Sequence, residues 1–276
     1  MPELPEVEVV RKGLALQLPG RTISAVRSNG KSLRRPVPLT LMNHHLPGSV
    51  ISGVKRRAKY LLVELDNGAL LILHLGMTGK LGLFPVNSPE TKHDHVFWQL
   101  DNGLELRFND VRRFGSIALL LPEEIGSMEE TFFKTTGPEP FDSGFNADYL
   151  QNKAAGRSQP VKNFIMDSSV VAGVGNIYAN ESLFSAGIRP SRPIGSISRK
   201  KWQQLIDEIR LVLEKAIACG GSTISDFINA SGESGYFQVN FAVYGREGQD
   251  CPRCSKSIKR VRLGGRASFF CPNCQK

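Results

Sequence analysis

Four cysteines near the C terminus carry the most specific chemical signal in the sequence. Cys251 and Cys254 form one C-x2-C pair, and Cys271 and Cys274 form a second pair after sixteen intervening residues. This spacing is typical of a tetrahedral zinc site with four thiolate ligands, because each pair can direct two sulfurs at one ion. Two disulfides are the alternative, which the lack of a secretory leader disfavours. Four protein ligands leave no open position, so we predict one structural Zn²⁺ and no catalytic metal or organic cofactor.

The N terminus offers a second candidate for chemistry. If Met1 is removed, Pro2 presents a secondary amine with a pKa of about 8, which is partly unprotonated at neutral pH. Such an amine can attack an electrophilic carbon and form an iminium. Glu3, the next residue, could donate or accept the proton that this reaction requires. A loose chain end is the alternative interpretation, and composition does not choose between the two.

The charge balance predicts a polyanionic partner. Lys and Arg number 35 against 26 acidic residues, which gives a net charge of +9 and a pI near 9.4. The basic residues concentrate in Lys55–Lys59, in Arg107 with Arg112 and Arg113, and in the segment 251–276, which contains no Asp or Glu. Three separate patches favour an extended nucleic-acid-binding groove.

The first 130 or so residues predict a β-rich domain. A helix is expected from Glu6 to about Leu18, since apolar residues recur there at helical spacing. Seven β-rich runs follow, at 21–29, 49–55, 60–65, 69–74, 95–100, 104–108 and 115–121. Two Asp-Asn-Gly junctions, at Asp66 and Asp101, are strong hairpin signals. An antiparallel sandwich or barrel with one N-terminal helix is therefore predicted.

The remainder of the chain predicts helices and a small C-terminal unit. Helices are expected over Ile177–Ala186 and after Ser198, the second ending before Gly220. Cys219 is expected to be a small buried residue near that helix end. These boundaries suggest domains at residues 1–132, 133–249 and 250–276. Apolar runs are too short to cross a bilayer, so we expect a monomeric, cytoplasmic protein with no membrane partner.

Two glycine-containing turns have both a functional and an ordinary interpretation. Gly173-Val174-Gly175-Asn176 precedes a predicted helix, where backbone N–H groups and the helix dipole could bind a phosphate. Gly264-Gly265-Arg266 lies between the cysteine pairs, where Arg266 could pair with a phosphate. Ordinary glycine turns and a solvated arginine are the alternatives.

Several motifs, taken together and in order, resemble the formamidopyrimidine-DNA glycosylases, bacterial enzymes that remove oxidised purines from DNA. The resemblance begins with Met1-Pro2-Glu3-Leu4-Pro5-Glu6 and ends in the four-cysteine finger. Between them lie the motifs at 56–61, 74–79, 92–95, 110–115, 137–140, 171–179 and 244–246. The resemblance implies an α+β fold: an N-terminal antiparallel β-sandwich with an N-terminal helix, a helical domain containing a helix–two-turn–helix element, and a C-terminal β-hairpin zinc finger.

The resemblance also implies catalytic roles. Pro2 would attack C1′ of the damaged nucleotide and displace the base through a Schiff base, with Glu3 as the acid. Lys59 would hold a phosphate and assist β-elimination, and Arg266 would contact phosphate and assist δ-elimination. Glu6 and Tyr236 would line the base pocket, Tyr236 from a loop over the flipped base.

Further residues would contact DNA. Met77, Arg112 and Phe114 match the side chains that this family inserts into the space left by a flipped base; ordinary core positions are the alternative for Met77 and Phe114. His93, Asn176 and Arg157 are the remaining expected DNA contacts, and Arg157 stands where many relatives have a lysine-rich stretch.

The resemblance therefore implies a bifunctional DNA glycosylase and AP lyase of base excision repair. Its expected partner is double-stranded DNA with oxidised purines or abasic sites, used at the bacterial nucleoid. Two alternatives remain: an endonuclease VIII-type glycosylase for oxidised pyrimidines, and a non-catalytic zinc-ribbon DNA-binding protein.

Overall fold

The computed structural model describes residues 2–220, 227–228 and 240–276. The chain divides into two compact units. The first contains residues up to Lys134 with the short strand β9 (Phe227–Ile228), and the second contains Thr135–Cys219 with the described C-terminal residues.

The first unit begins with helix α1 (Leu4–Gln17). Glu3 is its N-cap and forms a capping box with Glu6, which satisfies N–H groups that the first turn leaves unpaired. One face of α1 is fully buried in the core through Val7, Val10 and Leu14. The predicted helix is therefore confirmed, and it starts two residues earlier than expected.

Two antiparallel sheets make up most of the first unit. Their strands are β1 (Ile23–Ser28), β2 (Ile51–Arg57), β3 (Tyr60–Leu65), β4 (Leu70–His74), β5 (Gly79–Pro85), β6 (Asp94–Leu100), β7 (Leu104–Asp110) and β8 (Ser116–Leu120). One sheet has the order β2-β3-β4-β8, and the other has the order β1-β6-β7-β5 with β9 parallel to β5 at its edge. Apolar side chains from both sheets and from α1 form one shared core, so the predicted sandwich is confirmed.

The two Asp-Asn-Gly junctions form the expected hairpins. Gly68 and Gly103 have φ of +81° and +77°, a conformation that residues with a Cβ rarely adopt. Strand β5 and a short helix, α2 (Leu39–His45), were not predicted.

The second unit is helical before the finger. Its helices are α3 (Ala147–Ala154), α4 (Val161–Ile165), α5 (Asn176–Ser185) and α6 (Arg199–Ala218). The side chain of Ser198 caps α6 by accepting from the backbone N–H of Lys201, and Trp202 and Leu213 on its apolar face are fully buried. Cys219 follows α6 directly but is exposed. Its predicted burial is wrong, because the apolar stripe of α6 ends at Ala216.

The C-terminal finger is a hairpin of β10 (Lys259–Leu263) and β11 (Arg266–Phe270). Its small core includes Ile258, Phe269 and Cys271, packed against Phe184 at the end of α5. The α+β class, with a sandwich, a helical part and a C-terminal hairpin, is as predicted. Among the described helices, none is long and apolar enough to cross a membrane.

Candidate active site

The start of α1 holds the proposed nucleophile inside the first unit. Pro2, Glu3 and Glu6 are all buried. The backbone N–H of Glu3 donates to Oε2 of Glu6 over 2.8 Å, so the capping box fixes the chain beside Pro2. The positive end of the helix dipole at this point favours carboxylates. The structure thus brings together the three N-terminal residues that the sequence singled out.

Lys59 lies in the tight turn between β2 and β3. The flanking residues Arg57 and Tyr60 pair across the hairpin, and Ala58 adopts a φ of +54° that projects the half-buried Lys59 from the sheet end. The Lys59 charge acts on His74, whose pKa is lowered from 6.5 to about 4 by burial first and then by Lys59 and Arg34. His74 is therefore neutral at neutral pH, and its Nδ1 accepts the N–H of Gly76 over 3.0 Å.

A rigid loop after β7 presents the expected DNA-inserting side chains. Asp110 is fully buried and accepts the N–H groups of Gly115 (2.7 Å) and Arg112 (3.3 Å). The Arg112 guanidinium lies 4.7 Å from the centre of the Phe114 ring. Phe114 is 44% exposed, which excludes a core role for it.

Met77 lies beside the same loop and is 37% exposed. Together with Phe114, His74, Gly76 and Arg34 it lines a cavity of about 410 Å³. Gly76 has a φ of +63°, and a Cβ there would collide with the backbone of Phe114 and Gly115. The turn carrying Met77 and the loop carrying Phe114 are therefore in direct backbone contact.

His93 belongs to a neighbouring basic cavity of about 290 Å³. Its other lining residues include Lys31, Lys92 and Arg113, so an anion entering it would meet several cations. His95, on the next strand, is buried and its Nε2 lies 2.8 Å from the carbonyl oxygen of Asp110.

Arg107 does not belong to the basic surface that the sequence predicted. It is 2% exposed and pairs with the buried carboxylates of Glu105 (2.7 Å) and Asp94 (3.5 Å). Its nearness in sequence to Arg112 and Arg113 suggested a shared basic patch, but the loop before β6 covers Arg107.

In the second unit, Asn176 is the first residue of α5, after a turn in which Gly173 has a φ of +82°. Among the described residues, its Oδ1 is one of the buried side-chain atoms without a hydrogen-bond partner. Its carbonyl accepts from Asn180 Nδ2 over 2.6 Å, and Asn180 Oδ1 accepts the N–H of Phe269 in β11 over 2.7 Å. Helix α5 thus links the turn to the finger.

Arg266 is exposed at the start of β11, at the finger tip. Together with Asn163 and Asp167, around the end of α4, it lines a cavity of about 260 Å³. Fully buried Lys162 secures the hairpin, because its Nζ donates to the Ala267 carbonyl and to Ser268 Oγ, each over 2.7 Å. The structure therefore places Arg266 beside the C-terminal end of α4.

Arg157 is exposed in the segment that follows α3. Lys153, four residues earlier, donates to the carbonyl of Ser169, in the connection between α4 and α5, over 2.7 Å. Tyr236 lies outside the described residues.

The four cysteines fit a zinc ion. Their sulfurs all lie within 4.8 Å of one another, with 3.9 Å between Cys251 and Cys274 and 3.5 Å between Cys254 and Cys271. Tetrahedral Zn–S bonds of ~2.3 Å require sulfur separations of about 3.8 Å.

Because the four sulfurs lie so close together, they would not all ionise without a cation to balance their charge. Burial, followed by hydrogen bonds to the other three sulfurs, raises the pKa of Cys274 to about 12. A backbone hydrogen bond at Lys256 lowers the pKa of Cys254 to about 6. A divalent cation would hold all four as thiolates, and it would join the two ends of the finger.

Three family models match the chain in order. They are the formamidopyrimidine-DNA glycosylase N-terminal domain at residues 1–117, the formamidopyrimidine-DNA glycosylase H2TH domain at 136–228, and the zinc finger found in FPG and IleRS at 248–276. The formamidopyrimidine-DNA glycosylase of Idiomarina loihiensis is 50% identical over 276 residues, with all of both chains covered. The chain belongs to the formamidopyrimidine-DNA glycosylase family.

Solved structures of this glycosylase family agree with the fold. The Lactococcus lactis Fpg complex with DNA containing an abasic site has a TM-score of 0.89 at 33% identity, with 99% of each chain covered. A complex of the same wild-type protein with DNA containing an oxidized pyrimidine has the same TM-score and identity, with both chains fully covered.

Sequence reasoning missed two carboxylates, Asp110 and Glu181, that hold loops of this chain in place. Asp110 stands inside a recognised motif but received no role, since only its burial reveals it as the anchor of the loop. Glu181 accepts three consecutive N–H groups, from Ala242, Val243 and Tyr244, over 2.8–3.0 Å. No local pattern signals such a long-range contact.

Proposed function

We propose that this protein is a bifunctional DNA glycosylase and AP lyase of base excision repair that acts on oxidised purines in double-stranded DNA. The observation that carries this function is the end-to-end similarity to formamidopyrimidine-DNA glycosylases, with no part of the I. loihiensis relative left unmatched. The buried Pro2–Glu3–Glu6 cluster supports the chemistry.

The first step would use the amine of Pro2, after removal of Met1. Its nitrogen forms a bond to C1′ and gives up its proton, while the damaged base leaves with the electrons of the glycosidic bond and gains a proton. Glu3 supplies the proton for opening of the sugar ring at O4′, which leaves an iminium between Pro2 and C1′. Burial beside α1 keeps the amine in one position.

The lyase steps then cleave the strand on both sides. Loss of a C2′ proton expels the 3′ phosphate, and a further elimination expels the 5′ phosphate, leaving a one-nucleotide gap. We assign phosphate binding and assistance to Lys59 in the first elimination and to Arg266 in the second. Each is a cation presented at a hairpin turn.

We assign DNA contacts to Met77, Arg112 and Phe114 in the space vacated by the flipped base, and to His93, Asn176 and Arg157 on the phosphates. The exposure of Met77 and Phe114 and the cation-lined cavity at His93 support these assignments. Glu6 and Tyr236 remain proposed pocket residues.

Zn²⁺ bound by the four cysteines would stabilise the finger and takes no part in the reaction. We retain the proposed division into a catalytic sandwich (1–132), a helical domain (133–249) and a finger (250–276). We propose that the protein acts as a monomer in the bacterial cytoplasm, at the nucleoid.

Borohydride trapping tests this function directly. Native protein and a variant with one extra N-terminal residue are incubated with a duplex containing 8-oxoguanine opposite cytosine. A covalent adduct formed only with the native terminus identifies Pro2 as the nucleophile. If neither protein forms an adduct on this duplex or on an abasic duplex, while both still bind DNA, the non-catalytic alternative is correct.

The oxidised-pyrimidine activity is a second candidate, favoured by the Lactococcus lactis complex with oxidized-pyrimidine DNA. A panel of purine and pyrimidine lesions in one sequence context compares the two. We expect faster release of the purines.

A further inference from the structure

Arg107 in β7 is a fully charged side chain placed inside the first unit. Its guanidinium contacts Glu105 and Asp94 and lies 4.8 Å from the centre of the Phe84 ring. Burying such an ion-pair cluster is generally no more stabilising than apolar packing of similar volume. A role other than stabilising the fold is therefore needed to explain this cluster.

The remaining donors of Arg107 hold an irregular loop. Nη1 donates to the carbonyl of Pro89 over 2.8 Å, and Nη2 donates to the carbonyl of Ser88 over 2.7 Å. These carbonyls belong to the connection between β5 and β6. Arginine suits this task because its rigid fork directs several donors at once.

The other end of the same connection is fixed by Asp94 and Asn109. Asp94 Oδ2 accepts the N–H of Thr91 over 2.8 Å. Asn109 Nδ2 donates to Thr91 Oγ1 (3.0 Å) and to Asp94 Oδ1 (2.8 Å). Directly after Thr91 come Lys92 and His93, and the His93 carbonyl accepts the N–H of Asp110 over 3.0 Å.

We propose that Arg107 is a positioning residue for DNA binding, which holds the 88–93 connection so that His93 meets a backbone phosphate. This inference rests on the DNA contact proposed above for His93. The ligand class is a phosphodiester, because Lys31, Lys92 and Arg113 line the same cavity as His93. Arg107 itself is too buried to touch DNA and acts through the connection.

The test measures binding of the full-length protein to a duplex with an uncleavable abasic analogue, over a range of salt concentrations. Arg107→Met, His93→Ala and the double variant are compared with the wild type. In each single variant, loss of the hydrogen bond between His93 and a charged phosphate should weaken binding roughly tenfold. The loss should persist at each salt concentration, because no lysine or arginine that neutralises a phosphate is removed.

A positioning role makes a specific prediction for the double variant. Since Arg107 acts through His93, the double variant should bind no more weakly than the weaker single variant. Arg107→Lys, which can still donate to a loop carbonyl, should recover part of the affinity. Asn109→Ala removes the outer attachment without leaving a buried charge, and should reproduce the loss if Arg107→Met does not fold.

Arg210→Met is the matched control. Arg210 also donates to loop carbonyls, those of Pro140, Asp142 and Phe145 over 2.8–3.1 Å, but in the second unit. Its loss should lower Tm and leave DNA affinity unchanged. Additive effects of Arg107→Met and His93→Ala, or an unchanged DNA affinity in both Arg107→Met and Asn109→Ala, would overturn the proposal.

Failure of the proposed function gives a different result. In that case the wild type forms no borohydride adduct, whatever the binding data show. An active wild type with an unaffected Arg107→Met variant rejects only the positioning role.

Discussion

Glu3 illustrates how one side chain can serve the fold and the reaction at once. As the N-cap it shares a capping box with Glu6, and its carboxyl group is buried next to Pro2. A substitution of Glu3 that keeps the size of the side chain and one hydrogen-bonding oxygen can separate its role in the fold from its role in the reaction.

We expect Glu3→Gln to fold normally and to bind duplex DNA within about threefold of the wild type. Base release should fall by roughly 10²–10⁴, the range typical of a lost general acid. Single-turnover assays and Tm measurements check both statements. The control is Glu8→Gln, on the same helix, which alters the ion pairs of Glu8 with Arg11 and with Arg56 of β2. Full activity in Glu3→Gln would remove Glu3 from the mechanism.

His74 gives the protein a defined pH response. Its pKa is lowered to about 4 in the folded chain, so the unfolded chain binds more protons between pH 6.5 and 4. The stability associated with neutral His74 is present above pH 6.5 and is lost as the pH falls towards 4. The loss amounts to at most ~3 kcal/mol.

His74→Gln should lack this part of the pH dependence, since glutamine does not titrate and can still accept the Gly76 N–H. Urea unfolding of both proteins at pH 7.5, 5.5 and 4.5 measures the difference. Parallel stability profiles for the two proteins would contradict the lowered pKa.

At the scale of elements, the contact between the turn at Gly76 and the loop at Phe114 controls the presentation of the DNA-inserting side chains. Gly76→Ala introduces a Cβ into that contact and strains a positive φ. We expect the free energy of unfolding to fall by at least ~2 kcal/mol, because Met77 and Phe114 must separate. Base release should fall by more than the loss of folded protein explains.

Gly103→Ala is the matched control for this prediction. Gly103 has a similar φ of +77°, but a Cβ there meets nothing within 4 Å. Gly103→Ala should lower the free energy of unfolding by about 1 kcal/mol through backbone strain alone and leave base release unchanged. Equal effects of both substitutions, measured by unfolding and single-turnover assays, would show that the contact is unimportant.

Elements with strong local signals were predictable, and those without them were not. Helix α6 has a serine cap, an apolar stripe and a glycine stop, and was predicted almost to the residue. Strand β5 was missed because Gly79 and Gly82 weaken its β pattern. Helix α2 is only 7 residues long, too short for a recognisable helical period.

The residues of the candidate site also divide into those with a local sequence signal and those without one. The cysteine ligands were predictable because each pair is local in sequence. The burial of Arg107 and the N–H groups bound by Glu181 depend on chain segments distant in sequence, and no spacing rule gives them. The choice between a catalytic Pro2 and a loose chain end came from the resemblance, since composition and periodicity do not separate the two.

At the scale of the whole molecule, the two units have separate cores, and the finger has a small core of its own. Removal of zinc by a chelator should therefore loosen residues 250–276 and leave the sandwich folded. Because Arg266 is carried by the finger, DNA affinity should fall by at least about tenfold. Hydrogen exchange together with duplex binding measures both effects. Unchanged binding after verified zinc loss would contradict a DNA-contacting finger.

The buried cluster around Arg107 also constrains how this protein can evolve. Replacing Arg107, Glu105 or Asp94 alone leaves an uncompensated charge in the interior, at a cost of about 3–5 kcal/mol. Most single substitutions of these three residues would therefore produce a poorly folded intermediate sequence. We expect lineages to keep all three residues or to exchange them as a set, together with a change in the length of the connection they hold.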